Sequence, residues 1–302
     1  MNPLTDPAVL VTGGQGFLGQ AVRKLLRSSG QRVVVLDEAS PADHEHACGY
    51  VQCDITDLEP LKQMFEARPI LGIIHLAAML PTAAQREPTR ATRVNLIGSL
   101  NLLEMARQFG VRRFVFGSSV SVYGTCPERV VSEDDRATPE DLYGAAKLYV
   151  EQLGSAYRER LGMEFVSLRI GRVVGPGARS STSAWRSQIF ELLRTTEAAE
   201  IALPYVGDER ILLVHVDEVA KMLATLLGAS SLRHALYNAP CESIVVGELK
   251  REVESLNPKI KVRLGSDRAT GNPRLLDSSR FAREFGLEMA PIFEQLRRAT
   301  AH

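Results

Sequence analysis

The chain of 302 residues has little that would tie it to a membrane, a polyanion or an oxidising compartment. No apolar run reaches the roughly 20 residues needed to span a bilayer. The opening Met1-Asn2-Pro3-Leu4-Thr5-Asp6-Pro7 is too polar and too short for a secretory signal. Lys+Arg and Asp+Glu both total 36, so no basic excess favours nucleic acid or an anionic surface. The four cysteines, Cys48, Cys53, Cys126 and Cys241, show no metal-ligand or disulfide-framework spacing and read as reduced cytosolic thiols. Asp43-His44-Glu45-His46 offers ligand types but lies in a polar loop beside Pro41, where a solvated turn is the better reading. No metal site is expected. Nor is there an internal repeat, a low-complexity tract or a long linker. The expectation is a cytoplasmic globular protein of one large α/β domain with an appendage.

What is present begins with Ala8-Val9-Leu10-Val11, a buried strand by length and Val content. Thr12-Gly13-Gly14-Gln15-Gly16-Phe17-Leu18-Gly19 follows, then a helix with Leu18, Val22, Leu25 and Leu26 on one stripe that stops near Gly30. A second strand, Arg32–Leu36, ends in Asp37, 24 residues past Gly13. Strand, glycine turn, helix, strand and acid together form a dinucleotide site. Gly13, Gly16 and Gly19 let the backbone approach a pyrophosphate at the helix N-terminus. A carboxylate at Asp37 accepts ribose hydroxyls and repels a 2′-phosphate, so NAD is favoured over NADP.

Further βα units follow. Tyr50–Cys53 reads as a strand, with Thr56 or Asp57 capping a helix from Leu58 to Ala67. Asp54 is a turn residue or an acceptor for the adenine amino group. Leu71–Leu76 is the next strand, and Ala77-Ala78 keep its end open. His75 there reads as a satisfied core histidine. A helix runs from Val94 to Gln108, and its Asn95 needs a polar partner if buried. Arg113–Gly117 is a strand with Ser118-Ser119 at its C-terminal end, where ligands of doubly wound sheets sit.

Tyr143-Gly144-Ala145-Ala146-Lys147 places a phenol and an ammonium one helical turn apart. A fixed cation there favours the phenolate, and a tyrosine so tuned can take a proton from an alcohol. Ser119 can hold the same substrate oxygen.

These motifs, with Leu168-Arg169 and His215-Val216-Asp217-Glu218-Val219-Ala220, resemble the extended short-chain dehydrogenase/reductase family, also called the NAD-dependent epimerase/dehydratase family, across essentially the whole chain. The resemblance implies an α/β fold: a Rossmann-type doubly wound parallel sheet, residues 1–171 plus 213–235, with a smaller C-terminal α/β substrate domain, 172–212 plus 236–302. It implies Tyr143 as acid/base, Lys147 as its tuner and ribose ligand, and Ser119 as substrate-hydroxyl partner. The implied NAD contacts are Gly13, Gly16, Phe17, Leu18, Gly19, Asp37, Asp54, Ile55, Leu76, Ala77, Ala78, Asn95, Tyr143, Lys147 and Ile170. Family members often dimerise through the helices placed near 95–109 and 143–161, so a homodimer is expected, with Val150, Leu153, Tyr157 and Leu161 as one apolar stripe.

Substrate choice is expected in the second half, at Ser119, Ser121, Arg172, Ser181, Trp185 and Arg210. Nucleotide-sugar members usually carry Asn where Arg172 stands, and Arg-Asp where Ile211-Leu212 stand, with Arg210 displaced by one. Both departures weaken a UDP- or TDP-sugar assignment. Arg172, if it faces the cleft, instead suits a carboxylate or phosphate; the equal alternative is a surface or helix-end salt bridge. The loop Ala178–Arg186, Ser/Thr-rich and ending near the chain's only tryptophan, is similar to that of sugar-acid dehydrogenases of the erythronate type. Val120-Ser121, in place of the acid pair after the serine, argue against a dehydratase. Asp217 is expected to cap a helix. The reading is an NAD-dependent oxidoreductase acting on a secondary alcohol of a sugar or nucleotide sugar. One alternative is a small sugar-acid dehydrogenase that releases its keto product. Another is a non-catalytic NAD(H)-binding regulator, against which the intact Ser119/Tyr143/Lys147 set speaks.

Overall fold

The computed structural model describes residues 7–40, 49–126, 129–178 and 183–301. The Asp43–His46 cluster, Cys48 and Ser181 lie outside them. The strands are β1 Ala8–Thr12, β2 Val33–Asp37, β3 Tyr50–Gln52, β4 Ile70–His75, β5 Arg113–Ser119, β6 Val130–Val131, β7 Glu164–Ile170, β8 Arg172–Val174, β9 Ala199–Tyr205, β10 Arg210–His215, β11 Leu236–Asn238, β12 Glu242–Val245, β13 Ile260–Asp267 and β14 Leu275–Leu276. The helices are α1 Phe17–Ser28, α2 Leu58–Ala67, α3 Pro81–Arg86, α4 Pro88–Thr92, α5 Ser99–Gln108, α6 Leu142–Leu161, α7 Trp185–Glu191, α8 Val216–Gly228, α9 Val246–Leu256, α10 Ser279–Phe285 and α11 Ile292–Ala301.

Seven strands form one sheet in the order β11-β7-β5-β4-β1-β2-β3, each neighbouring pair parallel. The order reverses at β1, as in doubly wound Rossmann folds, which puts the ligand crevice beyond the carboxyl ends of β1 and β4. Alternation decides the two faces. Leu10, Val34, Ile73 and Phe114 pack with Leu61 and Phe65 of α2, Leu102 of α5 and Val150 of α6. Their sequence neighbours Val9, Val11, Val35, Ile74 and Val115 pack on the other face with Val22 and Leu26 of α1 and Val219 and Leu223 of α8. A helix can approach the first face closely because Gly154 of α6 lacks a side chain. A β-carbon there would lie 2.1 Å from the Phe165 ring.

A second core belongs to the smaller lobe, built from Trp185, Ile189 and Phe190 of α7, Ile201 and Leu203 of β9, Leu249 and Val253 of α9, and Leu296 of α11. Its sheets are β12-β10-β8 and β13-β9. Strand β9, not foreseen in the sequence, has the alternating burial of Ile201 and Leu203. Residues 236–238 join the large sheet beside β7, whereas β10 through His215 belongs to the small one. The C-terminal segment also hooks back: β14 pairs with β6, Arg274 N donates to the Cys126 carbonyl, and Gly271 N donates to Thr125 Oγ1. Helix α8 is capped by His215, whose Nδ1 accepts from Asp217 N at 3.3 Å, and not by Asp217 as expected. Asp217 instead sits in the first turn, where its charge faces the positive end of the helix dipole.

His75 is fully buried. Ser99 donates its hydroxyl proton to the Asn95 carbonyl, so the hydrogen between Ser99 and Nε2, 2.9 Å apart, belongs to the ring. Nδ1 then accepts from Thr12 Oγ1 at 2.7 Å, and the same oxygen accepts from Leu76 N and Ala77 N. The imidazole is the satisfied core group expected. Burial, assisted by the Lys147 charge, pushes its pKa down to about 3. Between its ordinary value near 6.5 and about 3 the unfolded chain binds the extra proton, so stability is lost as pH falls through that window. His75→Gln is therefore expected to flatten the decline of Tm on acidification across this window, measured by thermal melts against pH; an unchanged slope would refute the assignment.

Candidate active site

At the carboxyl end of β1 the chain turns through Gly13, whose φ of +66° and approach to Ala77 leave no room for a side chain. A β-carbon at Gly13 would lie 2.7 Å from Ala77 N, and one at Gly19 would lie 2.2 Å from the Gly13 carbonyl. The first turn of α1 has Gly16 at its cap, no side-chain cap and no acidic residue, so its N–H groups are open to an anion. Asp37 at the tip of β2 is oriented by Gln15 N (2.9 Å) and Ala39 N (3.1 Å). The exposed Asp54 accepts from Thr56 N at 2.8 Å through Oδ1, and it lines a cleft of about 540 Å³ with Arg90 and Arg93. Ile55 is buried and packs where Gly98 gives it room. Leu18, Leu76 and Ala77 pack on the cores, with Ala78 just beyond at the end of β4. Asn95 lies in a π-helical turn, Arg93–Gly98, and its amide clamps the Met79 backbone through both N–H and carbonyl. These residues fit a dinucleotide: a glycine cradle that a Cβ would fill, a free helix N-terminus, and a held carboxylate for ribose.

The chemistry-bearing groups meet at the end of β5. Ser119 Oγ accepts from Ser121 N and Ser121 Oγ, at 3.2 and 2.9 Å, in the single turn Val120–Tyr123. Ile170 pairs with Ser119 across to β7. Helix α6 begins at Leu142, capped by Asp141, whose carboxylate accepts from Gly144 N at 2.6 Å. Gly144 touches that turn: a β-carbon there would lie 2.7 Å from the Ser121 carbonyl oxygen. Tyr143 is the residue before Gly144, in the first turn of the helix that presses on this turn. Lys147 is buried, donates to the Gly117 carbonyl at 2.6 Å, and lies over the Phe116 and Tyr143 rings.

The electrostatics differ from expectation. Burial raises the pKa of Tyr143 above the ordinary phenol value, Asp141 raises it further, and the opposing cation is Arg186 rather than Lys147. Burial lowers the pKa of Lys147 to about 7, against the attraction of Glu151.

Arg186 was not foreseen. It stands one residue past Trp185, half-buried, with its Nε shielded from water and without a hydrogen-bond partner. Burial and then repulsion from Arg172 lower its pKa, while Tyr205 and Tyr143 oppose. Arg172 lies over the Tyr205 ring at 5.6 Å. Among the described residues neither arginine makes a salt bridge. Trp185, only 3% exposed, is a core residue behind this pair, edge-on to Tyr205. Arg210 is exposed at the start of β10, and Ser181 lies outside the described residues. Phe17, at the first turn of α1, reaches toward Gly177 across the crevice. The missed arginine had one sequence signal, its place in the loop before an amphipathic helix.

A model of the NAD dependent epimerase/dehydratase family matches residues 9–239. Over 294 residues the chain is 26% identical to mitochondrial L-threonine 3-dehydrogenase of Sus scrofa, covering 93% of this chain and 78% of that protein. It is 33% identical to UDP-glucose 4-epimerase of Lacticaseibacillus casei over 172 residues, 55% of this chain and 52% of that one. The solved UDP-glucose 4-epimerase of Thermus thermophilus in complex with NAD superposes with a TM-score of 0.82 at 27% identity, covering 98% of each chain.

Because α6 touches the Ser119 turn through Gly144, Gly144→Ala should lift the start of the helix. A loss of about 1–3 kcal/mol is expected from overpacking, read as a fall in the denaturation midpoint; a variant as stable as the parent would show that the contact is slack.

Proposed function

The chain belongs to the NAD dependent epimerase/dehydratase family, and on that premise we propose that it oxidises a secondary alcohol on a small anionic substrate of the sugar-acid or hydroxy-acid type. The observation that carries this reading is the pair Arg172 and Arg186, two cations without carboxylate partners among the described residues, facing Tyr143 and Tyr205. Burying two guanidinium groups side by side costs free energy unless an anion joins them. The reach of the threonine dehydrogenase similarity, over 93% of the chain, supports the same class, since that protein's named substrate is a carboxylate-bearing alcohol.

In this mechanism Arg172 and Arg186 fix the substrate's anionic end, and Ser119, held by Ser121, positions its hydroxyl oxygen. Tyr143, once its phenol has given its own proton to solvent, takes the hydroxyl proton as phenolate. Gly13, Gly16, Gly19 and Asp37 would hold NAD, which when bound supplies the hydride acceptor. The free phenol resists ionisation, so oxidation is expected to speed up as pH rises above neutrality. Residues 172–212 and 239–302 supply the substrate side of the crevice.

A second reading, epimerisation of a nucleotide sugar, rests on the Thermus thermophilus likeness. There the arginines would take a diphosphate. Assays with NAD and sugar acids, hydroxy acids, neutral aldoses or UDP-sugars separate the two: NADH accumulates only if the keto product leaves.

Tyr143→Phe should lose a hundredfold or more of turnover, within the roughly 10²–10⁴ of general acid–base catalysis. Arg186→Gln should raise KM for the acid by about tenfold to a hundredfold, as for a lost charge-assisted bond, with little change for a neutral aldose. Equal use of neutral and acidic substrates by the parent protein would sink the anion assignment. We also propose a homodimer across α6 and the segment formed by the π-helical turn Arg93–Gly98 and α5, where Tyr149 and Ile97 are 48% and 47% exposed. The stripe expected there turns inward in part, since Val150 and Tyr157 pack on the chain's own sheet. Tyr149→Glu should convert dimer to monomer in sedimentation, and a parent protein that sediments as a monomer rules the dimer out.

A further inference from the structure

Helix α6 grips two consecutive residues of β5 from two consecutive turns. Lys147 Nζ donates to the Gly117 carbonyl at 2.6 Å, and one turn on, Glu151 accepts from Ser118 Oγ at 2.5 Å. Glu151 is buried, and so is its other partner. Arg169 of β7 donates to it through Nε and Nη2, at 3.0 and 2.7 Å. The remaining Arg169 Nη1 has no hydrogen-bond partner, and the guanidinium lies 4.6 Å over the Tyr123 ring.

We propose that Glu151 is a positioning residue for the Tyr143–Lys147 pair: it anchors Ser118, between the carbonyl that Lys147 grips and the hydroxyl of Ser119, and sets a negative charge one helical turn from the Lys147 ammonium. The inference rests on the acid/base reading of that pair. A buried ion pair as such is weak support for stability, because desolvation consumes most of the attraction. The arrangement is better suited to orientation. Around the Lys147 ammonium stand Tyr143 and Glu151 on its own helix, neutral His75 on β4, and the Phe116 ring and Gly117 carbonyl on β5, with Arg169 of β7 beyond Glu151. Glu151 alone of these brings a charge that opposes the burial of Lys147.

The chain has seven lysines, few enough for each Cε–Nζ group to be followed by NMR in protein isotopically labelled at lysine Cε. Lys147→Met identifies the resonance. In Glu151→Gln the Lys147 titration midpoint should fall by about one pH unit. Glu151→Asp keeps the charge but shortens the reach to Ser118; the midpoint should hold while NADH formation slows. If Arg169, left unpaired, unfolds the Gln variant, Glu151→Met/Arg169→Met removes both ions together. There the midpoint falls less, since the opposing Arg169 charge goes too. A midpoint unmoved in folded Glu151→Gln overturns the proposal, as does full NADH formation by Glu151→Asp. A falling midpoint beside full turnover by Tyr143→Phe would leave Glu151 in its role and sink the acid/base reading instead.

Discussion

The seating of α6 on the large sheet is the constraint on which the rest of the site depends. Two glycines permit it. Gly154 lets the helix lie against Phe165, and Gly144 lets its first turn press on the Ser121 carbonyl. Between them Lys147 and Glu151 hydrogen-bond to β5. A helix held at four points along one side has no freedom to rotate or slide, so the phenol of Tyr143 inherits its position from backbone contacts rather than from its own. The same economy operates at the other side of the crevice, where Thr12 ties the glycine turn to Leu76 and Ala77 through one hydroxyl.

Burial and charge compete throughout this region, and the outcome differs by residue. His75 yields to burial, helped by the Lys147 charge, and stays neutral between Thr12 and Ser99. Lys147 is balanced near neutrality between desolvation and Glu151. Tyr143 is driven toward its protonated form, and only Arg186 opposes this. A cluster that places Tyr143 among groups of such different temper is sensitive to any charge added beside it.

Much of this was legible in the sequence because it is local. The glycine turn, Asp37 and the Tyr143–Lys147 spacing follow from backbone geometry within a few residues, and strand alternation specifies which side chains face which helices. His75 could be read as core from its apolar neighbours alone. What escaped the sequence is held by contacts between distant segments. Arg186 meets Arg172 and Tyr205 only once three separate elements assemble, and no periodicity announces that. Likewise helical spacing places Lys147 near Tyr143 but does not report how far burial shifts either group. The cap of α8 fell to His215 rather than Asp217 because a side chain just before a helix can accept its free N–H as well as an acid within it.

The return of the C-terminal segment onto the residues before α6 has a consequence for how the protein comes into being. The β6–β14 pair, with the bonds from Arg274 to Cys126 and from Gly271 to Thr125, joins positions about 145 residues apart. During synthesis the nucleotide-binding half emerges long before residues 271–277 leave the ribosome. Until they do, the stretch leading into Asp141 and Tyr143 lacks its partner strand. The glycine turn at the end of β1 needs no residue of that late segment, whereas the β6–β14 contact closes a loop long enough for its entropic cost to matter.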